Sequence, residues 1–176
     1  RIGRDHLFVA FTYAWAYTDP EYDLSVIPFI DKVKDGSQGA LHDPKNYYEH
    51  TAYPVRSIKA AGGILAAGSD APVDTRDPRP FINMQMAVTR AQPGFPALSP
   101  SESVTLPEVI EAYTINGARA LGRADEIGSI SVGKSADFIV LDQDILTAPV
   151  DKVGATKVVQ TWFMGRQVYA EKAGSK

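Results

Sequence analysis

An α/β fold is predicted for the first part of this 176-residue chain, on three observations. Two short apolar runs, residues 7–11 and 64–67, read as strands buried on both faces rather than as half-exposed ones. A helical stretch lies directly before the second run, so that strand, helix and strand follow in the order of a parallel unit. From Glu126 onward the pattern changes to turn residues and short β-rich runs, the mark of antiparallel strands. The change places a boundary near residue 125, with an α/β segment at 1–125 and a smaller second segment at 126–176.

Taken in order, residues 7–11 form the first strand. Residues 19–46 are punctuated by Pro20, Pro28, Gly36, Gly39 and Pro44, with a short helix expected around Leu24, Ile27, Phe29 and Ile30. The next helix has Pro54 near its start, Val55, Ile58 and Ala61 on one face, and Gly62-Gly63 as its stop. The second strand closes in Gly68-Ser69-Asp70-Ala71-Pro72, and a polar loop runs from Asp74 to Pro80. Phe81, Met84 and Val88 recur at helical spacing up to Arg90. Thr105-Leu106-Pro107-Glu108 has the form of a capping box, and Leu106, Val109, Ile110 and Tyr113 give the helix it opens an apolar face. Asn116-Gly117 is expected to break that helix, with one more turn at 118–121. Phe138 to Leu141 is a strand, and 158–163 faces 167–169 across Met164-Gly165-Arg166 as a hairpin.

Composition narrows the classes. Eighteen Lys and Arg against 21 Asp and Glu leave a net charge of −3 with no basic block, so neither nucleic acid nor an anionic membrane is indicated as a partner. No apolar run approaches the roughly 18 residues of a membrane helix. The absence of Cys removes disulfides, thiolate nucleophiles and cysteine metal sites. The compartment stays open, with the cytoplasm favoured. The chain opens on Arg1 and runs almost at once into a strand, so a fragment of a longer protein is expected.

Asp70 is the foremost candidate for chemistry. It stands at the C-terminal end of an apolar strand, where parallel α/β sheets and barrels bind ligands and metals. A carboxylate there can ligate a metal and exchange a proton with water. Position alone balances that role against a turn or helix-capping aspartate. His6, His42 and His50 are spaced so that no two share a strand or helix face, and an ordinary surface or structural histidine is the favoured reading of each. His6 begins a strand, the wrong end for a barrel site, whereas His42 and His50 sit where they could reach a site mouth. Asp74, Arg76 and Asp77 would rim a pocket at the Asp70 end, or else form a solvated loop. Glu49-His50 places an acid beside a base in sequence only. Ser69 lacks the Gly-x-Ser-x-Gly setting of a nucleophile elbow. Gly128 to Lys134 echoes a phosphate loop, but a strand rather than a helix follows it. Trp15, Tyr17, Tyr22, Tyr47 and Tyr48 could line an apolar pocket, although packing is the commoner role. A flavin or nucleotide protein lacks its Gly-rich fingerprint here.

Gly68-Ser69-Asp70-Ala71-Pro72-Val73, Ala87-Val88-Thr89-Arg90, Ala112-Tyr113-Thr114 and Gly128-Ser129-Ile130…Gly133-Lys134…Ala136-Asp137-Phe138 together resemble the C-terminal part of metal-dependent amidohydrolases. The group that includes N-substituted formamide deformylases is the most similar, in register from about Ile64 to Tyr169. The resemblance implies the C-terminal portion of a (β/α)8 TIM barrel, followed by antiparallel strands of a small β-sandwich composed from both chain ends. It makes 7–11 the seventh barrel strand and puts Asp70 at the end of the eighth, as a metal-ligating aspartate that also shuttles a proton. It further implies hydrolysis of a non-peptide C–N bond, amide or N-formyl, in a small-molecule substrate, with a divalent metal, zinc foremost, as cofactor. The family's His-x-His pair, its bridging Lys or acidic ligand and its later histidines have no counterpart in this chain. A whole barrel needs about 250 residues and a catalytic zinc about three protein ligands, so the chain alone is not expected to assemble the metal centre. The alternative is a non-catalytic module that folds alone or associates with copies of itself as a homo-oligomer.

Overall fold

A computed structural model describes residues 4–19, 51–73 and 76–172 of the chain. The expected short helix around Leu24 to Ile30 lies outside them. Strand β1 (Phe8–Phe11) pairs in parallel with β2 (Ile64–Ala67), Phe8 opposite Ile64 and Phe11 opposite Ala67. The parallel pair predicted from the two apolar runs is therefore present, and helix α1 (Val55–Ala60) leads into its second strand. The expectation that the first run is buried on both faces does not hold, since Leu7 and Phe8 are exposed. Exposure alternates along β1, with Phe8 and Ala10 exposed and Val9 and Phe11 half-buried, so one face of the strand is open, and among the described residues only β2 lies beside it. Val55 is buried and Ile58 packs against the core, but Ala61 is exposed, because the helix has already ended at Ala60.

Helix α2 (Pro80–Thr89) starts on a proline, whose missing N–H costs nothing in a first turn. Phe81, Met84 and Ala87 face the core. Helix α3 (Leu106–Tyr113) carries the predicted capping box, with the Thr105 N–H donating to Glu108 Oε2 at 2.6 Å. Asn116 and Gly117 do not break the helical path. They lie inside α4 (Ile115–Ala120), and the interruption falls at Thr114, whose backbone leaves the helical region at φ −123° and ψ −97°. Asn116 is buried and accepts a hydrogen bond from Arg119 Nη1 at 2.9 Å, a tertiary gain that outweighs its weak helix propensity.

The remaining strands, β3 (Phe138–Leu141), β4 (Val158–Phe163) and β5 (Arg166–Ala170), form one antiparallel sheet in the order β3-β4-β5. The hairpin between β4 and β5 turns on two residues rather than three. Met164 and Gly165 both have positive φ, as a right-twisted two-residue connection requires, and Arg166 already pairs with Phe163. The 128–134 segment is a turn with no helix after it, and Lys134 Nζ donates to Ser129 Oγ at 2.8 Å. Gly128, at φ +88°, passes so close to α4 that a Cβ there would lie 2.6 Å from that of Ala118. One core runs through the described residues, with Tyr13, Val55, Leu65, Met84, Val109 and Val153 at its centre.

Helices α1 and α3 are joined at Glu108. Lys59 Nζ donates to its Oε1 at 2.5 Å, and Arg56 stands 3.6 Å from Oε2. Burial works to raise the Glu108 pKa, but the hydrogen bonds from Lys59 and Thr105 and the Lys59 charge outweigh it and bring the group down to about 2. A carboxylate depressed in the folded state stabilises the fold above its unfolded pKa of 4.5, and that contribution disappears as pH falls through about 2. Glu108→Gln is expected to lower stability by about 1 kcal/mol at neutral pH. It should also flatten the loss of stability between pH 4.5 and 2 in denaturant titrations, and an unchanged acid limb would show that Glu108 carries none of it.

Candidate functional site

The site is assembled where both parallel strands end. Past β1 the chain enters a short 3-10 turn, Tyr13–Trp15, and the Ala14 N–H donates to Asn83 Oδ1 at 2.5 Å. Asn83 sits in the first turn of α2, 1 % exposed, and its amide nitrogen donates to the carbonyls of Pro78, at 3.2 Å, and Arg79, at 3.1 Å. Gln92 Nε2 donates to the Thr18 carbonyl at 2.8 Å. Residues beyond β1 are therefore held at two points by side chains from α2 and the loop after it.

Past β2, the Gly68 N–H donates to the Phe11 carbonyl at 3.0 Å and extends the parallel ladder by one rung. Ser69 Oγ accepts from the Ala71 N–H at 3.3 Å, and the Asp70 carbonyl accepts from the Val73 N–H at 2.9 Å. Asp70 itself has φ +54°, a left-handed conformation that aspartate tolerates better than most residues. It is exposed, and among the described residues its carboxylate makes no hydrogen bond or ion pair.

Beside this strand end lies a cavity of about 180 Å³, lined by Trp15, Tyr17, Ser69, Asp77, Ile82 and Met86 among others. Two of the aromatics singled out in the sequence, Trp15 and Tyr17, thus line one pocket, and Asp77 joins them. The Arg79 N–H donates to Asp77 Oδ1 at 3.0 Å, fixing the turn that leads into α2. Arg76 is exposed and does not line the cavity. His6 lies before β1, at the opposite end of the parallel pair from Asp70. His42, His50, Glu49, Asp74, Tyr22, Tyr47 and Tyr48 lie outside the described residues. Among the described residues no three His, Asp or Glu side chains come together to hold a metal ion. A catalytic zinc takes about three protein ligands, so these residues do not by themselves make a metal site, and Asp70 is one donor of the right kind.

Sequence reasoning missed Asn83 and Gln92. The one available signal was Asn83 itself, a polar residue beside Phe81 and Met84 on an apolar helix.

A model of the amidohydrolase family matches residues 28–169. The chain is 38% identical over 123 residues to an N-substituted formamide deformylase of Arthrobacter pascens, covering 70% of this chain and 22% of that protein. It is 37% identical over 132 residues to an imidazolonepropionase of Bdellovibrio bacteriovorus, covering 74% and 29%. Among solved structures, an adenosine deaminase from Xanthomonas campestris with bound zinc superposes with a TM-score of 0.52 at 25% identity, covering 66% of this chain and 28% of that one. The chain thus spans about a quarter of the length of these relatives.

Asn83→Ala leaves the Ala14 N–H without its acceptor and should cost about 1–3 kcal/mol. Asn83→Asp should cost more, since it faces a carboxylate with the Pro78 and Arg79 carbonyls. Denaturant titrations of the two variants compare them, and an aspartate variant as stable as the wild type would remove Asn83 from this role.

Proposed function

Because the chain belongs to the amidohydrolase family, we propose that it takes part in hydrolysing a non-peptide C–N bond, amide or N-formyl, in a small-molecule substrate. The observation that carries this reading is the placement of Asp70, an unpaired carboxylate at the C-terminal end of a parallel strand beside a pocket. In the reaction, water attacks the carbonyl carbon. Asp70 takes the proton that water gives up and passes it to the departing nitrogen, so the carboxylate is regenerated and an acid and an amine leave. A divalent metal, zinc foremost, would take Asp70 as one ligand and draw its others from outside the described residues. It would supply Lewis-acid activation. The similarity to an N-substituted formamide deformylase supports the N-formyl option among amides. In the same reading, residues 1–125 are the last strands and helices of a (β/α)8 barrel, and 126–176 the C-terminal part of a composite β-sandwich.

Asp70→Asn, made in the longest natural chain that carries residues 1–176, should lower turnover of an N-formyl substrate about 10²–10⁴-fold while the far-ultraviolet spectrum stays unchanged. Turnover near the wild-type level would sink the assignment.

A second reading, self-association without catalysis, draws on the last sheet, where Phe163, Met164, Val168 and Tyr169 are all exposed. It predicts that the elution volume of the chain falls as its concentration rises. A monomer at every concentration would dismiss it.

A further inference from the structure

We propose that the loop from Arg90 to Leu98 is a staple through which two chain segments, residues 14–18 after β1 and residues 52–53 before α1, open and close as one unit. Thr18 and Ala52 are distant in the chain, yet both reach this loop. At one end Gln92 Nε2 donates to the Thr18 carbonyl at 2.8 Å, and the Thr18 hydroxyl donates to the Pro96 carbonyl at 3.3 Å. At the other end the Arg90 guanidinium donates to the carbonyls of Ala52, at 2.7 Å, and Tyr53, at 3.2 Å.

The loop is built to move as a body. Arg90 Nε donates to the Leu98 carbonyl and the Leu98 N–H to the Arg90 carbonyl, both at 2.8 Å, so its two ends are locked together. Between them Pro93 and Pro96 fix φ at two positions, and the Phe95 N–H donates to the Gln92 carbonyl at 3.2 Å. One planar guanidinium serves both the loop and residues 52–53, so a shift of the loop disturbs all three of these bonds at once. Thr18, Ala52, Arg90 and Leu98 are buried, so a donor or acceptor that loses its partner there is left unmet and costly. Trp15 and Tyr17, which line the cavity beside Asp70, sit between the Asn83 anchor at Ala14 and the staple's anchor at Thr18. A disturbance at the approach to α1 therefore reaches the wall of that cavity. The coupling is a property of the fold and stands whether or not Asp70 acts on a substrate.

Hydrogen exchange of the 176-residue chain, read by mass spectrometry on peptides covering residues 12–18 and 52–58, tests the staple. Gln92→Leu removes the side-chain bond to Thr18 and is expected to speed exchange about tenfold in both peptides, including the one it does not touch. Arg90→Lys breaks the fork at residues 52–53 and is expected to speed exchange at 12–18 by a similar factor. Thr18→Val, which removes only the bond to Pro96, perturbs the first end independently should Arg90→Lys fold poorly. In each variant the β4–β5 hairpin should keep its wild-type exchange. No change in either peptide, or a rise confined to the segment that lost its bond, would overturn the staple by showing two independent ends. An equal rise in the hairpin would overturn it too, by showing a general loss of stability.

Discussion

Much of the described structure depends on one buried cation. Arg90 is 1 % exposed, and its guanidinium donates to three main-chain carbonyls, those of Leu98 at 2.8 Å, Tyr53 at 3.2 Å and Ala52 at 2.7 Å. The Tyr53 ring lies 5.9 Å from its central carbon. A guanidinium removed from water costs several kcal/mol unless its donors are met, and a fork of fixed geometry can meet several carbonyls at once where a lysine could not. The same residue ends α2 in the left-handed conformation, φ +57°, and its carbonyl accepts from the Leu98 N–H at 2.8 Å. Arg90 and Leu98 therefore bond in both directions, and the chain between them is closed into a compact loop that carries Gln92. The Ala52 and Tyr53 carbonyls belong to the approach to α1, so the cation also fixes where the strand-forming unit re-enters the core.

Among the described residues, the buried polar groups include two kinds. Asn83, Arg90 and Glu102 are satisfied and act as struts, Glu102 by accepting from both the backbone and the hydroxyl of Ser57 in the first turns of α1. The hydroxyls of Tyr13 and Tyr113 are buried with no partner among the described residues. Burial pushes the Tyr113 phenol up to about 12, and burial, with Tyr113 and Glu108 nearby, pushes Tyr13 higher still. Both phenols stay protonated through the neutral range, so neither can serve as a base there. A pKa raised in the folded state stabilises the fold below pH 10 and ceases to do so as pH climbs through the folded value. Alkali thus weakens the core through these phenols, whereas acid weakens it through Glu108.

What the sequence made legible was local. The capping box at Thr105 and Glu108 joins residues three apart, the β4–β5 hairpin turns on two residues, and each parallel strand announced itself by four or five apolar residues in a row. The position of Asp70 just past a strand end was legible for the same reason, since the strand and the Gly-Ser-Asp turn are adjacent in sequence. The struts were not. Asn83 bonds to Ala14 across 69 residues, Gln92 to Thr18 across 74, and Arg90 to Ala52 across 38. No periodicity encodes such pairings, and a charged residue at a helix end reads as a solvated one. The same limit explains Asn116-Gly117, where local propensity argued for a break and the buried hydrogen bond to Arg119 overrode it.

This division between struts and unmet groups gives the candidate site its physical logic. An active-site carboxylate has to be held in place without being neutralised by the residues that hold it. At Asp70 the backbone supplies the hold, through the carbonyl that accepts from Val73 and through the rung from Gly68 to Phe11, while the side chain is left without a partner among the described residues. Across the cavity, Asn83 clamps the segment after β1 with its amide oxygen, which accepts from the Ala14 N–H, and Gln92 clamps it with its amide nitrogen, which donates to the Thr18 carbonyl. Rigid support from main chain and saturated amides, with reactive or recognising atoms left unsatisfied, is the arrangement that preorganises a site at least cost to the fold. A turn aspartate whose only task was to cap or to close a loop would instead spend its carboxylate on a nearby N–H, as Asp77 does on Arg79. Asp70 spends its backbone and keeps its carboxylate, which is why the strand end, and not the more polar loop after it, is the place to look for chemistry.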